Sequence, residues 1–253
     1  MRLAAALACA LAGAGPLEGA AGPSATEAER FVESLFDPQA GLVRSSARGG
    51  EFWLYPDNDL AARVLARNKP DIARRIRASL AGFKAPRPGL IESALDAGGK
   101  LLPFHETELV TLSSLGGRRI RTERRTSRKI ERWNERADLL LLEALAESKT
   151  DPALASSRFH RAMRMWDGKG FLDQPAFFAQ AYSSRNLALA LLAAARLRQD
   201  LPMRREIMRQ LVRQQGSSGG VAPDYGKDRR PLGASDAQTT CLAILALDAS
   251  PAP

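Results

Sequence analysis

Residues 216–247 read GSSGGVAPDYGKDRRPLGASDAQTTCLAILAL, which is a glycine-rich turn, a polar loop and an apolar segment in that order. Ser235 followed three positions later by Gln238 matches a capping box, in which each side chain bonds the backbone N–H of the other residue. The pattern predicts that a helix begins near Ser235 and that the apolar residues after it are buried.

The same order of glycine, loop and apolar segment occurs three more times. Loops that open at Gly41, Gly89 and Gly170 lead to the segments DLAARVLARN, ADLLLLEALAES and NLALALLAAARL. Amphipathic, Arg-rich segments alternate with these apolar ones along the chain. Such self-similarity is typical of a protein that is built from helical hairpins.

The alternation predicts an all-α fold, an α/α toroid in which amphipathic outer helices surround apolar inner helices. About four hairpins can be counted, so the predicted ring is incomplete. Residues 83–132 interrupt the pattern with prolines and glycines, and the alternating segments on either side of Gly116 and Gly117 predict a β-hairpin. We therefore expect one toroid domain over residues 23–253, with residues 83–132 as a loop and β-hairpin insertion.

Residues 1–22 have the features of a secretory signal peptide, namely Arg2, a short apolar run and small residues suited to cleavage. The run is too short to cross a bilayer and no later apolar run reaches 18 residues, so we predict a secreted or periplasmic protein that is not transmembrane. Cys9 lies too early in the run for a convincing lipid anchor. Cys241 would then be the sole cysteine of the processed chain, which excludes an internal disulfide.

The formal net charge is +9, and residues 116–136 alone carry nine Arg and Lys against three Glu. A basic segment can bind nucleic acid or another anionic polymer. The predicted export and the lack of interleaved aromatic residues argue against nucleic acid. A solvated surface is the expected role, and contact with an anionic polymer stays open.

Two short motifs add a resemblance to a known family. Residues 214–221, QQGSSGGV, resemble the glutamine-and-glycine turn of terpenoid cyclase and protein prenyltransferase repeats. Residues 53–58, WLYPDN, resemble the aromatic-Asp-Asn entry to an inner helix in secreted glycosidase-like proteins. The chain is thus similar to the α/α-toroid superfamily, which also includes six-hairpin glycosidases and polysaccharide lyases. It lacks the acidic clusters of the cyclases and the zinc ligands of the prenyltransferases, so neither a metal nor another cofactor is expected.

In such a fold the long loops meet the N-termini of the inner helices at one end, where unpaired N–H groups favour polar or anionic ligands. Two carboxylates there would be sufficient for acid/base hydrolysis of a glycosidic bond, and aromatic rings would stack on sugars. The candidate catalytic residues are Asp57, Asp173 and Asp224. The candidate substrate-binding residues are Trp53, Tyr55, Asn58, Asp167, Tyr182 and Tyr225. The insertion could add the carboxylates of Glu106, Glu108 and Glu123.

These residues also have structural interpretations. Asp57 and Asp236 stand where helix caps are common, Asp167 and Asp224 suit turns, and tryptophans are typical core residues. Two functions are therefore considered: a carbohydrate-active enzyme, similar to glycoside hydrolases or polysaccharide lyases, that acts on a glycan or polyuronate, and a non-catalytic binding or scaffold module. A protein with a terpenoid-type apolar cavity is the third and most distant alternative. The inner helices are rich in Ala and Leu, which fill the centre of a ring rather than line a pocket. The oligomeric state is left open.

Overall fold

The structure is a computed structural model that describes residues 24–47, 52–83, 89–96, 100–115 and 118–249. The predicted signal peptide, residues 1–22, lies outside the described residues, as do Gly116 and Gly117. The α-helices of the described residues are α1 (Ala25–Ser34), α2 (Tyr55–Val64), α3 (Pro70–Gly82), α4 (Leu90–Leu95), α5 (Ala137–Ala146), α6 (Pro152–Met163), α7 (Gln174–Ala179), α8 (Ser184–Leu197), α9 (Arg204–Gln214) and α10 (Ala237–Ala249). A short 3-10 helix, Trp133–Glu135, precedes α5.

The strands of the described residues form three small sheets. They are β1 (Phe36–Asp37), β2 (Leu42–Val43), β3 (Phe52–Leu54), β4 (His105–Leu115), β5 (Arg118–Lys129), β6 (Tyr182–Ser183), β7 (Asp224–Tyr225) and β8 (Pro231–Leu232). β1 and β2 are antiparallel, and so are β6, β7 and β8. β4 and β5 form a long antiparallel hairpin, and β3 pairs with β5 in parallel.

Four helices, α2, α5, α8 and α10, form the centre of the protein. α5 buries nine of its ten residues, because it is apolar on nearly every side. α10 packs against α2 and α8, and α8 packs against α5. The short helix α4 contacts both α5 and α2, so it lies between them. The buried Leu, Ala and Ile side chains of the four central helices provide about half of the apolar core and hence much of the folding free energy.

The amphipathic helices α1, α3, α6 and α9 cover the central ones. α1 packs on α10, α3 on α2, α6 on α5 and α8, and α9 on α8. In α9 the apolar Ile207 and Leu211 are buried four positions apart, whereas Arg205, Arg209 and Arg213 on another face are exposed. Within the described residues, no helix combines the length and the apolar character needed to cross a membrane.

The glycine-rich turn after α9 holds α1 in place. Gly219 has a φ of +86°, and a Cβ there would lie 2.1 Å from the carbonyl oxygen of Glu27 in α1. The neighbouring Gln215 side chain accepts a hydrogen bond from the Ser24 N–H and donates one to the Ser24 carbonyl, both at 3.0 Å. The turn therefore requires glycine for conformation and for space.

The first residues of α5 and α8 are hydrogen-bonded by loops that precede other central helices. The Ala137 N–H, at the start of α5, donates to Oδ2 of Asp173 in the loop before α8, at 2.9 Å. The Ser184 N–H, at the start of α8, donates to the carbonyl of Pro223 in the loop before α10, at 2.7 Å. Neither helix has a side-chain cap from the residue before it.

The same arrangement continues through α10 and α2. The Ala237 N–H, at the start of α10, donates to the carbonyl of Ser45 in the loop before α2, at 2.8 Å. β3 runs directly into α2 and pairs with β5, where Trp53 lies opposite Ile120, and β5 belongs to the segment before α5. The starts of the four central helices are thus joined in a closed circle, which we call the N-terminal circle, at one end of the protein.

The prediction of an all-α toroid is wrong, because the described residues contain three sheets, one of which mixes parallel and antiparallel pairs. Most of the extra strands lie in segments that were predicted as loops before the central helices. Backbone groups that are shielded from water need partners, and neighbouring segments supply them as ladders of two or three residues. Ladders this short leave no alternating pattern in the sequence. The long hairpin lies within residues 83–132, but it shares its sheet with β3.

Local predictions also need correction. α4 lies in the predicted insertion and α7 in a predicted loop. Ser235 does not cap α10, because Asp236 directly precedes the helix and its Oδ1 accepts from the Thr239 N–H at 2.6 Å. Gln238 accepts a hydrogen bond from Arg185 instead of closing a capping box.

Asn58 provides a test of the connection between β2 and α2. It is fully buried, its Oδ1 accepts from the Val43 N–H at 2.6 Å, and its Nδ2 donates to the carbonyls of Val43 and Leu54, both at 2.9 Å. Asn58→Ala leaves these groups without partners, so we expect a loss of about 2–4 kcal/mol in the free energy of unfolding, measured with urea.

The control is Asn68→Ala, which removes an exposed hydrogen bond to Glu29 and should change the same free energy by less than about 0.5 kcal/mol. Equal effects of the two substitutions would contradict the structural role of Asn58.

Candidate functional site

A cavity of about 550 Å³ lies at the N-terminal circle. Its wall includes parts of α4, α5, α7, α8 and α10, together with β4, β5, β6 and β7. We call it the loop-end cavity. Its apolar wall includes Leu90, Ile91, Ile130, Leu139, Leu142 and Leu189, and its charged wall includes Glu106, Glu123, Arg136, Asp138, Asp173, Arg185 and Asp224.

A second cavity, of about 420 Å³, continues the first one beside the hairpin. The residues common to both walls are Leu90, His105, Thr107 and Glu123. Lys100 and Arg125 lie in the wall of the second cavity and not of the first. The two cavities are therefore adjacent, with Glu123 in the wall of both, and we call them together the elongated groove.

Glu123 on β5 and Asp224 on β7 are the carboxylates of the loop-end cavity that accept no hydrogen bond from another described residue. The other acidic groups of the wall are engaged, since Glu106 pairs with Arg128, and Asp138 pairs with Arg136. Burial raises the pKa of both Glu123 and Asp224. Each group therefore holds a proton to a higher pH than an exposed carboxyl does.

Arg185 provides positive charge among these carboxylates. It is the second residue of α8, and its guanidinium donates to Oε1 of Gln238 at the start of α10, at 2.7 Å. Its charge opposes the rise in pKa that burial causes at Glu123, Asp224 and Asp236. A cation at a helix N-terminus is disfavoured by the helix dipole, so the surrounding carboxylates stabilise this placement.

Asp57, a predicted catalytic residue, does not line the cavity. It is only 2% exposed, and its Oδ1 accepts no hydrogen bond from a described residue. Burial raises the pKa of Asp57 to about 8; the nearby Ser45 hydroxyl opposes this rise, and the Asp236 charge adds to it. Asp57 is therefore largely uncharged at neutral pH and has no direct contact with the cavity.

Asp173, the second predicted catalytic residue, lines the cavity, but both of its carboxylate oxygens are bonded. Oδ1 accepts from the Ala176 N–H at 3.0 Å and caps α7, and Oδ2 accepts from the Ala137 N–H at the start of α5. The Asn186 amide also donates to Oδ2 at 3.4 Å. The arrangement gives Asp173 a structural role in joining α5, α7 and α8.

Asp167, Tyr182 and Tyr225, which were predicted to bind substrate, lie outside the cavity wall. The Tyr182 hydroxyl donates to Asp167, and the Tyr225 hydroxyl donates to the Lys169 carbonyl at 2.9 Å. The two tyrosine rings stack with 5.4 Å between centroids. Burial, followed by the Asp167 hydrogen bond, raises the pKa of Tyr182 to about 12. These contacts fasten the loop before α8 to the loop before α10.

Trp53, Tyr55 and Asn58, also predicted to bind substrate, stand at the start of α2 and outside the cavity wall. Trp53 is 2% exposed within β3, and Asn58 holds the loop before α2. Tyr55 is half-buried, and its pKa is raised by burial and then by the charges of Asp59 and Glu92. No Phe, Tyr or Trp side chain lines the loop-end cavity in the described residues, so the predicted stacking platform for sugar rings is not found there.

Sequence reasoning had named Asp224 and Glu123 but missed Arg185. A signal was available, because an arginine in the first turn of an otherwise apolar helix opposes the helix dipole. Such a placement indicates nearby negative charge. The partners themselves could not be assigned, because Glu123 and Asp224 are brought to Arg185 by strands that are distant in sequence.

The described residues contain no group of three or more His, Cys, Asp or Glu side chains that could hold a metal ion. No family model, no curated protein and no solved structure matches the chain. The similarity to the α/α-toroid superfamily therefore stays a prediction, and the function has to be argued from the groove itself.

Asp57 makes the stability of the protein depend on pH. Its pKa in the folded state, about 8, exceeds its value of about 4 in the unfolded chain, so the folded state holds a proton that the unfolded state releases. The Asp57 contribution to the free energy of unfolding must fall as pH rises from about 4 to about 8, by at most about 1.4 kcal/mol per pH unit.

Asp57→Asn removes this contribution and keeps the shape of the protonated side chain. The free energy of unfolding of the variant, minus that of the wild type, should therefore increase between pH 4 and pH 8 in urea titrations. Parallel pH profiles for the two proteins would show that Asp57 is not protonated in the fold.

Proposed function

We propose that the protein is an exported, carbohydrate-active enzyme that hydrolyses a neutral glycan in the elongated groove. The observation that carries this proposal is the pair Glu123 and Asp224, two carboxyl groups on different strands that line one cavity and accept no hydrogen bond from another described residue. Two such groups are the minimum for acid/base cleavage of a glycosidic bond. The groove continues past Glu123, as a chain-like substrate requires.

Glu123 is assigned as the general acid. Glu92 on α4 is buried close enough for the Glu123 charge to act on it, and its pKa is raised to about 7, chiefly by burial and in part by the charges of Asp59 and Glu123. Burial raises the pKa of Glu123 and so helps it to keep its proton, while the Arg185 charge opposes this rise. Glu123 would give that proton to the glycosidic oxygen as the bond to the anomeric carbon breaks.

Asp224 is assigned as the general base. The Arg185 charge favours its ionised form, so its carboxylate can take a proton from the water that attacks the anomeric carbon. One water is consumed, and the two carboxyl groups return to their starting protonation states after exchange with solvent. This scheme favours a neutral sugar at the point of cleavage, because the ionised Asp224 carboxylate repels the carboxylate of a uronate there.

The second candidate is a non-catalytic binding module. The aromatic-free wall of the loop-end cavity favours it, since sugar sites are usually lined with stacking rings. The wall of the loop-end cavity has more acidic than basic side chains, and this excess would suit a cationic ligand such as a polyamine. Export, which both candidates assume, rests on the sequence of residues 1–22.

The enzymatic proposal predicts that Glu123→Gln and Asp224→Asn each lower kcat/KM by about 10²–10⁴-fold on a panel of neutral nitrophenyl glycosides and oligosaccharides. Neither substitution removes a hydrogen bond from another described residue, so the melting temperature should stay close to that of the wild type. Glu106→Gln is the matched control, because this glutamate lines the same cavity but pairs with Arg128.

Full activity in both variants would contradict the assignment. A wild-type protein without turnover on the whole panel, combined with a thermal shift by spermidine that Glu123→Gln or Asp224→Asn abolishes, would favour the binding module instead.

A further inference from the structure

Two neighbouring phenylalanines protrude from α7. Phe177 is 60% exposed and Phe178 is 75% exposed, and their ring centroids lie 5.7 Å apart. Leu172, which is 44% exposed, lines the same surface hollow. Exposed apolar side chains that cluster in this way mark an interaction surface more often than isolated ones do.

α7 is held firmly in this position. Asp173 caps its first turn, and the Gln180 side chain donates to the Phe177 carbonyl at its end. Lys227 in turn donates to Oε1 of Gln180. The two rings are therefore presented to solvent by a fixed segment and do not fold back onto the core.

Positive charge surrounds the rings. Arg132, Arg161 and Arg164 line the hollow beside Phe177 and Phe178, and Lys227 reaches the C-terminal end of α7. The acidic residues of the same hollow are Glu135, which pairs with Arg132, and Asp173, which is buried as a cap. The surface is therefore apolar at its tip and cationic at its rim.

We propose that α7 docks the protein onto an anionic lipid surface, with Phe177 and Phe178 inserted among the headgroups and the arginines next to lipid phosphates. Aromatic residues flanked by cations are the side chains that favour the interface of an anionic bilayer. A protein partner fits less well, because three protruding side chains are small beside the roughly 800 Å² that each partner buries in a stable complex. α7 also forms part of the loop-end cavity wall, so docking would bring that cavity close to the membrane.

The test is co-sedimentation of the full chain with vesicles of phosphatidylcholine alone and with vesicles that also contain phosphatidylglycerol. We expect binding to the mixed vesicles that weakens with salt, and a loss of about tenfold or more when Phe177→Ser and Phe178→Ser are combined. Arg164→Gln, which changes an exposed rim residue, should weaken binding to the mixed vesicles and leave the weak binding to neutral ones unchanged. Every variant carries the same residues 1–22, so lipid binding by that segment is common to all.

Leu109→Ser is the matched control, since Leu109 is 49% exposed on the hairpin, opposite Glu123, and does not line the hollow that contains Phe177 and Phe178. Equal binding of the Phe177/Phe178 variant and the wild type would overturn the proposal, as would a loss caused by Leu109→Ser instead. A wild-type protein that ignores both vesicles but self-associates through Phe177 and Phe178 would overturn it in favour of a protein contact. Because all four side chains are exposed, melting temperatures should agree and exclude unfolding as the cause.

Discussion

The N-terminal circle is the constraint on which the rest of the structure depends. A helix that starts inside a protein leaves its first N–H groups without partners, and an unpaired buried N–H is costly. α5 and α8 have no side-chain cap of their own, so Asp173 and the Pro223 carbonyl supply the missing acceptors from neighbouring loops. The loop before one central helix is therefore fixed by the start of another central helix. This requires all four central helices to start at the same end of the protein.

The candidate site follows from this arrangement. The loops that close the circle carry β6 and β7, and β5 closes it at α2, so Asp224 and Glu123 are delivered to the same cavity. Their backbones are fixed by strand pairing, while their carboxyl groups accept no hydrogen bond from the other described residues. The side chains of Asp173 and Tyr182, by contrast, form hydrogen bonds that hold the circle and its loops together. A polar side chain in such a loop is therefore structural when it is hydrogen-bonded within the protein, and it is available to a ligand when it is not.

The sequence predicted the parts of the fold that have a local pattern. The apolar runs at Leu139–Leu142 and in α8 and α10 indicated buried helices, and nearly all of their residues are buried. The two-residue strands, α7 and the cap of α5 could not be predicted, because their partners lie far away in the chain, as Asp173 does from Ala137. Asp224 was named as a candidate and Arg185 was not: the place of Arg185 in the first turn of an apolar helix was a signal, but its carboxylate partners lie far away in the chain.

Amide hydrogen exchange at Ala137, Ser184 and Ala237 tests the N-terminal circle most directly. These are first residues of central helices, which in a solvated helix would exchange rapidly. The account predicts that all three N–H groups exchange only with global unfolding and with the same free energy as the helix centres. Fast and mutually independent exchange at these three positions would contradict it, because each helix start would then open without its neighbours.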